Sequence, residues 1–460
     1  MKNRILVSWT TVGLITLIWG GLQVVAGRVL VAPLPSGEAA SPDYEVAVNG
    51  KPVPVYTAKS VHGGDYSFVS FDFTGTVKVV VKGRSDLASA VVRPLSAGIQ
   101  LRPGKGFVQF KLKQPRKLSI EPDGIRGPLL LFANAPEGKT VQPSDPNVLY
   151  FGPGVHKPNR IVLKSGQTLY LAAGAVVKAA VLADKAENIR ICGRGILDGT
   201  DWPWLKGPAG HMVGLTDCRN VVVEGITIRG SFAWTVVPMR CENVTVRNVK
   251  LVNSRVQNDD GINPCNSQHV LIEDCFIRSD DDCVAVKGLR HLNTPPTPAR
   301  DITVRRCVFW CDRARIFLFA HESQASAMED LVYEDCDIIH YTMTPFLLEP
   351  GEHMPLRRLR FENFRIEGEG QRDFITLRPT INQYMKVQAP GSIEDVLFKN
   401  IQLVGKQRGE ARVWIQGADE QHQVRNVRFD QVSRYGEELR LGAPHLNIGG
   451  FSGDIRFGKN

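Results

Sequence analysis

What the 460-residue chain lacks narrows it first. Long amphipathic helical runs are hard to find, so a helical bundle or a doubly wound α/β domain is not expected. Lys and Arg outnumber Asp and Glu by 56 to 47, a formal net charge of +9, yet no block of five or six basic residues occurs and no nucleic-acid-binding motif is found. The basic balance therefore does not point to a nucleic-acid partner. No pair among the nine cysteines has zinc-finger or redox spacing, and there is no EF-hand-like loop, so neither a metal nor another cofactor is expected. After the first 26 residues no segment is long and apolar enough to span a bilayer. What is present is a globular composition, 43% apolar and 22% charged, rich in glycine and strand formers.

The N-terminus reads as a targeting segment. A basic start, "MKNR", precedes an uncharged apolar stretch, and Val24-Val25-Ala26 before Gly27 forms a cleavage site. Residues 1–26 are expected to be a signal peptide, with an uncleaved membrane anchor as the alternative. Either one exports the rest of the chain, to the periplasm or the medium. Residues 27–42 read as a Pro/Ser/Gly/Ala linker. From residue 43 to 146 apolar and polar residues alternate. Asn49-Gly50 marks a two-residue hairpin, and "YSFVSFDFTGTVKVVVKG" suggests a second one turning at Thr74-Gly75. A small antiparallel β-sandwich is expected there.

From residue 147 to 460 the chain repeats itself. Segments beginning at Asn188, Asn220, Asn243, His269, Asp301, Asp330, Arg358, Asp395 and Asn426 each read polar, apolar, x, apolar, two polar or small, apolar, x, apolar. The starts lie 23 to 37 residues apart. One such unit is too short to bury its own apolar face, whereas stacked units share a continuous core. Two short strands about a polar corner, Val/Ile-rich and without helical periodicity, describe a right-handed parallel β-helix. Cys275, Cys307 and Cys336 then share one repeat position with Ile226, Val249, Phe364 and Ile401, an inward ladder of apolar side chains. Free buried thiols are expected, with bridging between coils as the alternative.

Two acidic knots stand out, "NDDGIN" and "SDDDCVAV". Asp260 and Asp282 share a local pattern and lie 22 residues apart, near one coil length, so they are expected to stack on adjacent coils. Asp281 joins them if the chain bends at a coil corner. Three carboxylates in one groove suit glycosidic hydrolysis: one acid protonates the leaving oxygen and another activates water. Crowding raises at least one pKa. By spacing alone, corner ladders that satisfy turn backbone and a calcium site remain alternatives.

At these residues a resemblance enters. "NDDGIN…SDDDCVAVKG", with the preceding "SFAWTVVPMRCENVTVRNVKLVNS", resembles the Asn-x-Asp-Gly and Asp-Asp-Cys motifs of the polygalacturonases of glycoside hydrolase family 28. The stretches "YFGPGVHKPNRIVLKSGQTLYLAAGAVVKAAV" and "CVFWCDRARIFLF…DCDIIH" are similar to the dextranases and isopullulanases of family 49, which carry a β-sandwich ahead of the β-helix. The resemblance implies hydrolysis with inversion. Asp281 would be the general acid, Asp260 and Asp282 would hold and activate water, and Asn258 would orient the cluster. The Gly-His-Gly and Arg-Ile-Lys signatures of polygalacturonases are absent, which shifts the expected substrate toward an α-glucan, with pectic galacturonan as the alternative.

Further candidates for substrate contact are Arg313, 32 residues after Asp281, together with Lys287, Glu349 and His321. Trp202, Trp204, Trp234 and Trp310 are candidates for stacking on sugar faces. A polysaccharide or oligosaccharide is the expected partner of a monomeric protein, with no nucleic acid and no membrane contact beyond the N-terminal segment. The rival readings are a β-helix polysaccharide lyase and a non-catalytic glycan-binding β-helix.

Overall fold

The computed structural model describes residues 27–138, 141–289, 296–369 and 371–458. The proposed signal peptide or anchor, residues 1–26, lies outside the described residues. Strand dominates, and the one helical element among the described residues is a single turn, Leu95–Ala97. No helix there is long and apolar enough to cross a membrane.

The chain is a right-handed parallel β-helix preceded by a β-sandwich. Two sheets make the sandwich and share a core of Val46, Val69, Phe71, Val79, Phe110 and Leu131. The Asn49-Gly50 turn closes a two-residue hairpin, with Val48 paired to Lys51 and both turn residues at positive φ. The second expected hairpin does not form. Tyr66–Phe73 and Val77–Gly83 lie in different sheets, so the turn at Thr74-Gly75 is an arch between them. The reason is burial on both faces. Val69, Phe71 and Phe73 fill the sandwich core, while Tyr66 and Phe68 meet the β-helix. Tyr66–Phe73 also pairs in parallel with Leu129–Asn134, so the sandwich is not wholly antiparallel. Residues 27–42 add a short edge strand, Val29–Leu30, paired with Phe73 and Asp72.

The β-helix follows the sequence repeat in register. Ile189, Val221, Val244, Val270, Ile302, Leu331, Leu359, Val396 and Val427 stack one above the next. Each follows the polar residue that opens its unit, and all nine of those residues adopt positive φ. Such a corner costs least for residues whose short polar side chains bond locally, which explains why Asn and Asp predominate there. Their amides also bond from coil to coil, as Asn220 to Asn188 (3.1 Å) and Asn243 to Asn220 (3.2 Å). All nine cysteines are free and buried.

The sandwich docks on one flank of the β-helix. Tyr66, Phe68 and Phe132 pack against Phe276, Val308 and Trp310. Trp310 is fully buried there and is no sugar platform. Arg278 lies between the rings of Tyr66 (4.1 Å) and Trp310 (4.0 Å) and pairs with Asp312 at 2.8 Å. From residue 284 onward another wall gains regular strands: Val284–Gly288, Arg315–Ser323, Thr344–Leu348, Asp373–Leu377, Arg412–Ile415 and Leu446–Ile448 form one parallel sheet.

Candidate active site

The acidic knots occupy the corner that leads into this wall. Val236 bridges Ile262, Ile262 bridges Val284, and Val284 pairs with Phe317, which in turn pairs with Phe346. Two residues ahead of these positions stand Trp234, Asp260, Asp282, Arg315 and Thr344. Asp260 and Asp282 are therefore stacked neighbours on adjacent coils. The fit is close, because a Cβ on Gly261 would lie 2.3 Å from the Cys283 carbonyl oxygen. Only glycine lets the coils approach here. Between Phe276–Ser279 and Val284–Gly288 the chain bends, which brings Asp281 to the same side as Asp282.

Asp260, Asp281 and Asp282 are 2%, 8% and 2% exposed. The Asp281 carboxylate accepts from Arg313 Nη2 at 2.9 Å, Asn258 Nδ2 at 3.3 Å and the backbone N–H of Asp282 at 3.1 Å. Asp260 accepts from Asn263 Nδ2 at 2.8 Å through one oxygen, while its other oxygen has no partner. Burial holds the Asp260 carboxyl well above the usual range, and the charges of Asp281 and Asp282 add to the shift. Burial raises Asp282 too, opposed by Arg315, whose Nε lies 3.3 Å away. These mutual effects mark the three acids as one electrostatic cluster.

Two cations besides Arg313 balance it. Lys287 is buried, its Nζ 2.9 Å from Glu322 and 4.7 Å from the centre of the Trp234 ring. Burial works against its charge, but Glu322, Asp260 and Asp282 outweigh burial and raise its pKa. Arg315 lies 3.8 Å from Asp281 and reaches His321 Nε2 at 3.1 Å. Nothing in the acidic knots announces Arg315. Its signal is the register itself, two residues before an apolar strand position, as for Asp260 and Asp282.

The remaining candidates divide. Asn258, Arg313, Lys287, His321 and Trp234 join the cluster. Trp234 stacks on His211 (5.5 Å), whose pKa is lowered by burial to about 4 and which is therefore a neutral ring at pH 7. His321 stacks on the exposed Tyr384 at 5.4 Å, with Glu349 at 3.7 Å. Trp202 stands apart from the acids: it is partly buried, its ring packed edge-on against Phe232 at the margin of the core. Trp204 is 43% exposed in the same loop. Among the described residues no group of three or more His, Cys, Asp or Glu side chains is arranged to hold a metal ion.

Beside the acids, toward the C-terminal coils, opens a cavity of about 520 Å³. Arg315, His321, Glu349, Arg372, Arg378 and Trp414 are among its lining residues. Arg372 and Arg412 both pair with Asp373, at 2.9 and 2.7 Å. The Arg378 guanidinium lies 3.7 Å over the Trp414 ring and has no carboxylate partner among the described residues.

Residues 150–294 match the family model for glycosyl hydrolases family 28. A probable polygalacturonase of Vitis vinifera is 32% identical over 103 residues, 20% of this chain and 21% of that protein. A polygalacturonase of Chamaecyparis obtusa is 28% identical over 114 residues, 22% of each chain. The chain thus spans about a fifth of the length of these curated relatives. Among solved structures, Dex49A from Penicillium minioluteum superposes with a TM-score of 0.66 at 15% identity, covering 93% of this chain and 96% of that one. The family 28 exopolygalacturonase of Yersinia enterocolitica gives a TM-score of 0.53 at 14% identity with the same coverage. At such identities the structures establish a shared fold. The chain resembles the polygalacturonase-like and dextranase-like glycoside hydrolases of families 28 and 49, by sequence over residues 150–294 and by fold over most of its length.

Proposed function

We propose that this protein is a glycoside hydrolase that cleaves a polysaccharide or oligosaccharide with inversion. Residues 147–460 act as the catalytic β-helix and residues 43–146 as a docked sandwich. The observation that carries the reading is the convergence of Asp260, Asp281 and Asp282, from adjacent coils, beside a cavity of sugar size. In this reading Asp281, the most exposed of the three, gives its proton to the leaving oxygen. Asp260 and Asp282 hold a water between them. Lys287 and Arg315 are the cations beside them that favour the ionised form, and the ionised member of the pair takes the proton of that water as it attacks.

A second reading concerns the sugar. The Arg378 guanidinium, without a carboxylate partner among the described residues and in a cavity lined by Arg315, His321 and Arg372 as well as Glu349 and Asp373, favours a glycan bearing carboxylates over a neutral α-glucan. It would supply the anion recognition that the missing Arg-Ile-Lys signature leaves open. The test is release of reducing ends from dextran, pullulan, pectate and galactans, with the anomer of the first product followed by NMR. Hydrolysis of pectate with inversion is expected. Replacing Asp281 by Asn should then lower turnover about 10²–10⁴-fold while substrate binding persists. An unsaturated product would establish a lyase instead, and full turnover by the Asp281→Asn variant would remove the acid assignment.

A further inference from the structure

The acid assigned to Asp281 faces an arginine, and a cation at that distance favours loss of its proton. Arg313 is not committed to Asp281 alone, however. Its Nε donates to Asp280 Oδ2 at 2.6 Å while its Nη2 donates to Asp281. Asp280 is fully buried, and its other oxygen lies 2.7 Å from His62 Nε2. Because the carboxylate bound to Arg313 is an acceptor, that contact is a donation from the His62 N–H. His62 belongs to the sandwich, in the loop between Val55–Ala58 and Tyr66–Phe73.

The loop is held in place at several points. Val61 N donates to the Ser254 carbonyl (2.8 Å), the Ser60 and Ser254 hydroxyls meet at 3.0 Å, and the Tyr66 hydroxyl donates to the Asn253 carbonyl (2.7 Å). Ser254 N in turn donates to the buried Asp259, which also accepts the backbone N–H of Asp280, each at 2.6 Å. The two acids of the knots that take no part in hydrolysis thus form the frame that carries Asp281.

We propose that His62 and Asp280 are a positioning pair that reaches from the sandwich into the groove, holds the Arg313 guanidinium and sets how firmly Asp281 keeps its proton. The inference rests on the hydrolase reading for its meaning. The ionised Asp280 takes up much of the Arg313 charge, and His62 fixes the carboxylate so that one oxygen faces Arg313. Asp280 is faced by His62, Arg313, Asp281 and, at its backbone, Asp259. Asp281 is faced by Arg313, Arg315, Asn258, Asp260 and Asp282.

The test uses the full chain and two readouts. The first is the titration midpoint of the Asp281 carboxyl, followed by NMR with labelled aspartate and assigned with the Asp281→Asn variant. The second is the pH profile of hydrolysis on the best substrate of the panel. Asp280→Asn leaves the Arg313 charge facing Asp281 alone. The midpoint should fall, on the order of one pH unit for a newly uncompensated neighbouring cation. The alkaline limb of activity should move to lower pH with it. His62→Ala should shift both in the same direction by less. His62→Gln, which can offer an N–H to Asp280, should restore the wild-type values. Unchanged midpoints in both Asp280→Asn and His62→Ala would overturn the inference, and so would a shift in His62→Ala that Gln does not restore. Absence of hydrolysis by the wild-type protein would overturn the functional reading alone, because the NMR titration needs no substrate. A purely structural role for the loop would lower thermal stability and leave the Asp281 midpoint and pH limb in place.

Discussion

At the scale of single residues, the groove is a set of buried charges whose balance is the point of interest. Asp260 is held above the usual carboxyl range first by burial and then by Asp281. A carboxyl raised in this way binds its proton more tightly in the folded chain than in the unfolded one. Its contribution to stability is present in full below the unfolded value, near pH 4, and is lost as the pH rises through the folded value. Asp260→Asn should therefore melt at a higher temperature than wild type at pH 7.5, and the advantage should shrink toward pH 4. Thermal melts at the two pH values check this. Arg378 makes a separate prediction. Arg378→Ala should raise the KM for an acidic glycan about tenfold or more, the loss of a charge-assisted bond of roughly 1.5–3 kcal/mol, with a smaller change in kcat. A steady-state comparison on pectate decides it.

At the scale of elements, coil stacking sets what each position tolerates. Gly261 lies where Asp260 meets Asp282, and a methyl there would meet the Cys283 carbonyl oxygen at 2.3 Å and Ile277 Cγ2 at 2.6 Å. Gly261→Ala should cost about 1–3 kcal/mol as the coils are forced apart. It should also reduce activity beyond the loss of folded protein, because the two acids ride on those coils. Urea unfolding together with activity per folded molecule separates the effects. Farther along, Phe361, Phe398, Phe429 and Phe457 stack in successive coils at 4.9, 5.2 and 5.3 Å, nearly parallel. Phe398 has a ring on each side, so Phe398→Ala should cost about 3–5 kcal/mol, visible as a lower urea midpoint.

At the scale of the whole molecule, the sandwich is bound to the β-helix by buried rings and by ion pairs that cross the boundary. Arg194 pairs with Asp72 at 2.9 Å, His340 lies 3.0 Å from Glu121, and Arg93 bridges Glu121 and Glu367. Arg278 and Asp312 are both buried at this contact, and Trp310 Nε1 donates to Asp312 at 2.7 Å. Asp312→Ala strands a buried guanidinium between two aromatic rings. It should cost about 3–5 kcal/mol, far more than an exposed ion pair would. A denaturant midpoint that moves with an unchanged slope is the expected signature.

The β-helix was legible because its cause is local and periodic. A polar residue at each corner and apolar residues at alternating positions recur in every coil, and the register of Ile189 through Val427 follows from that spacing. The stacking of Asp260 on Asp282 was legible for the same reason. The arch at Thr74-Gly75 was not, since alternation alone does not say whether a strand is buried on one face or both. His62 was hidden for a related reason, since it owes its place to Asp280, 218 residues away. Arg315 shares the coil register of Asp260 and Asp282 but lies outside the acidic knots that draw attention to them. Sequence by itself determined the solenoid and the acids that line up on it, because one coil dictates the next. Tertiary structure alone decided what reaches those acids from outside the solenoid, as His62 of the sandwich reaches Asp280, because a buried charge takes its partner from whatever chain packs against it.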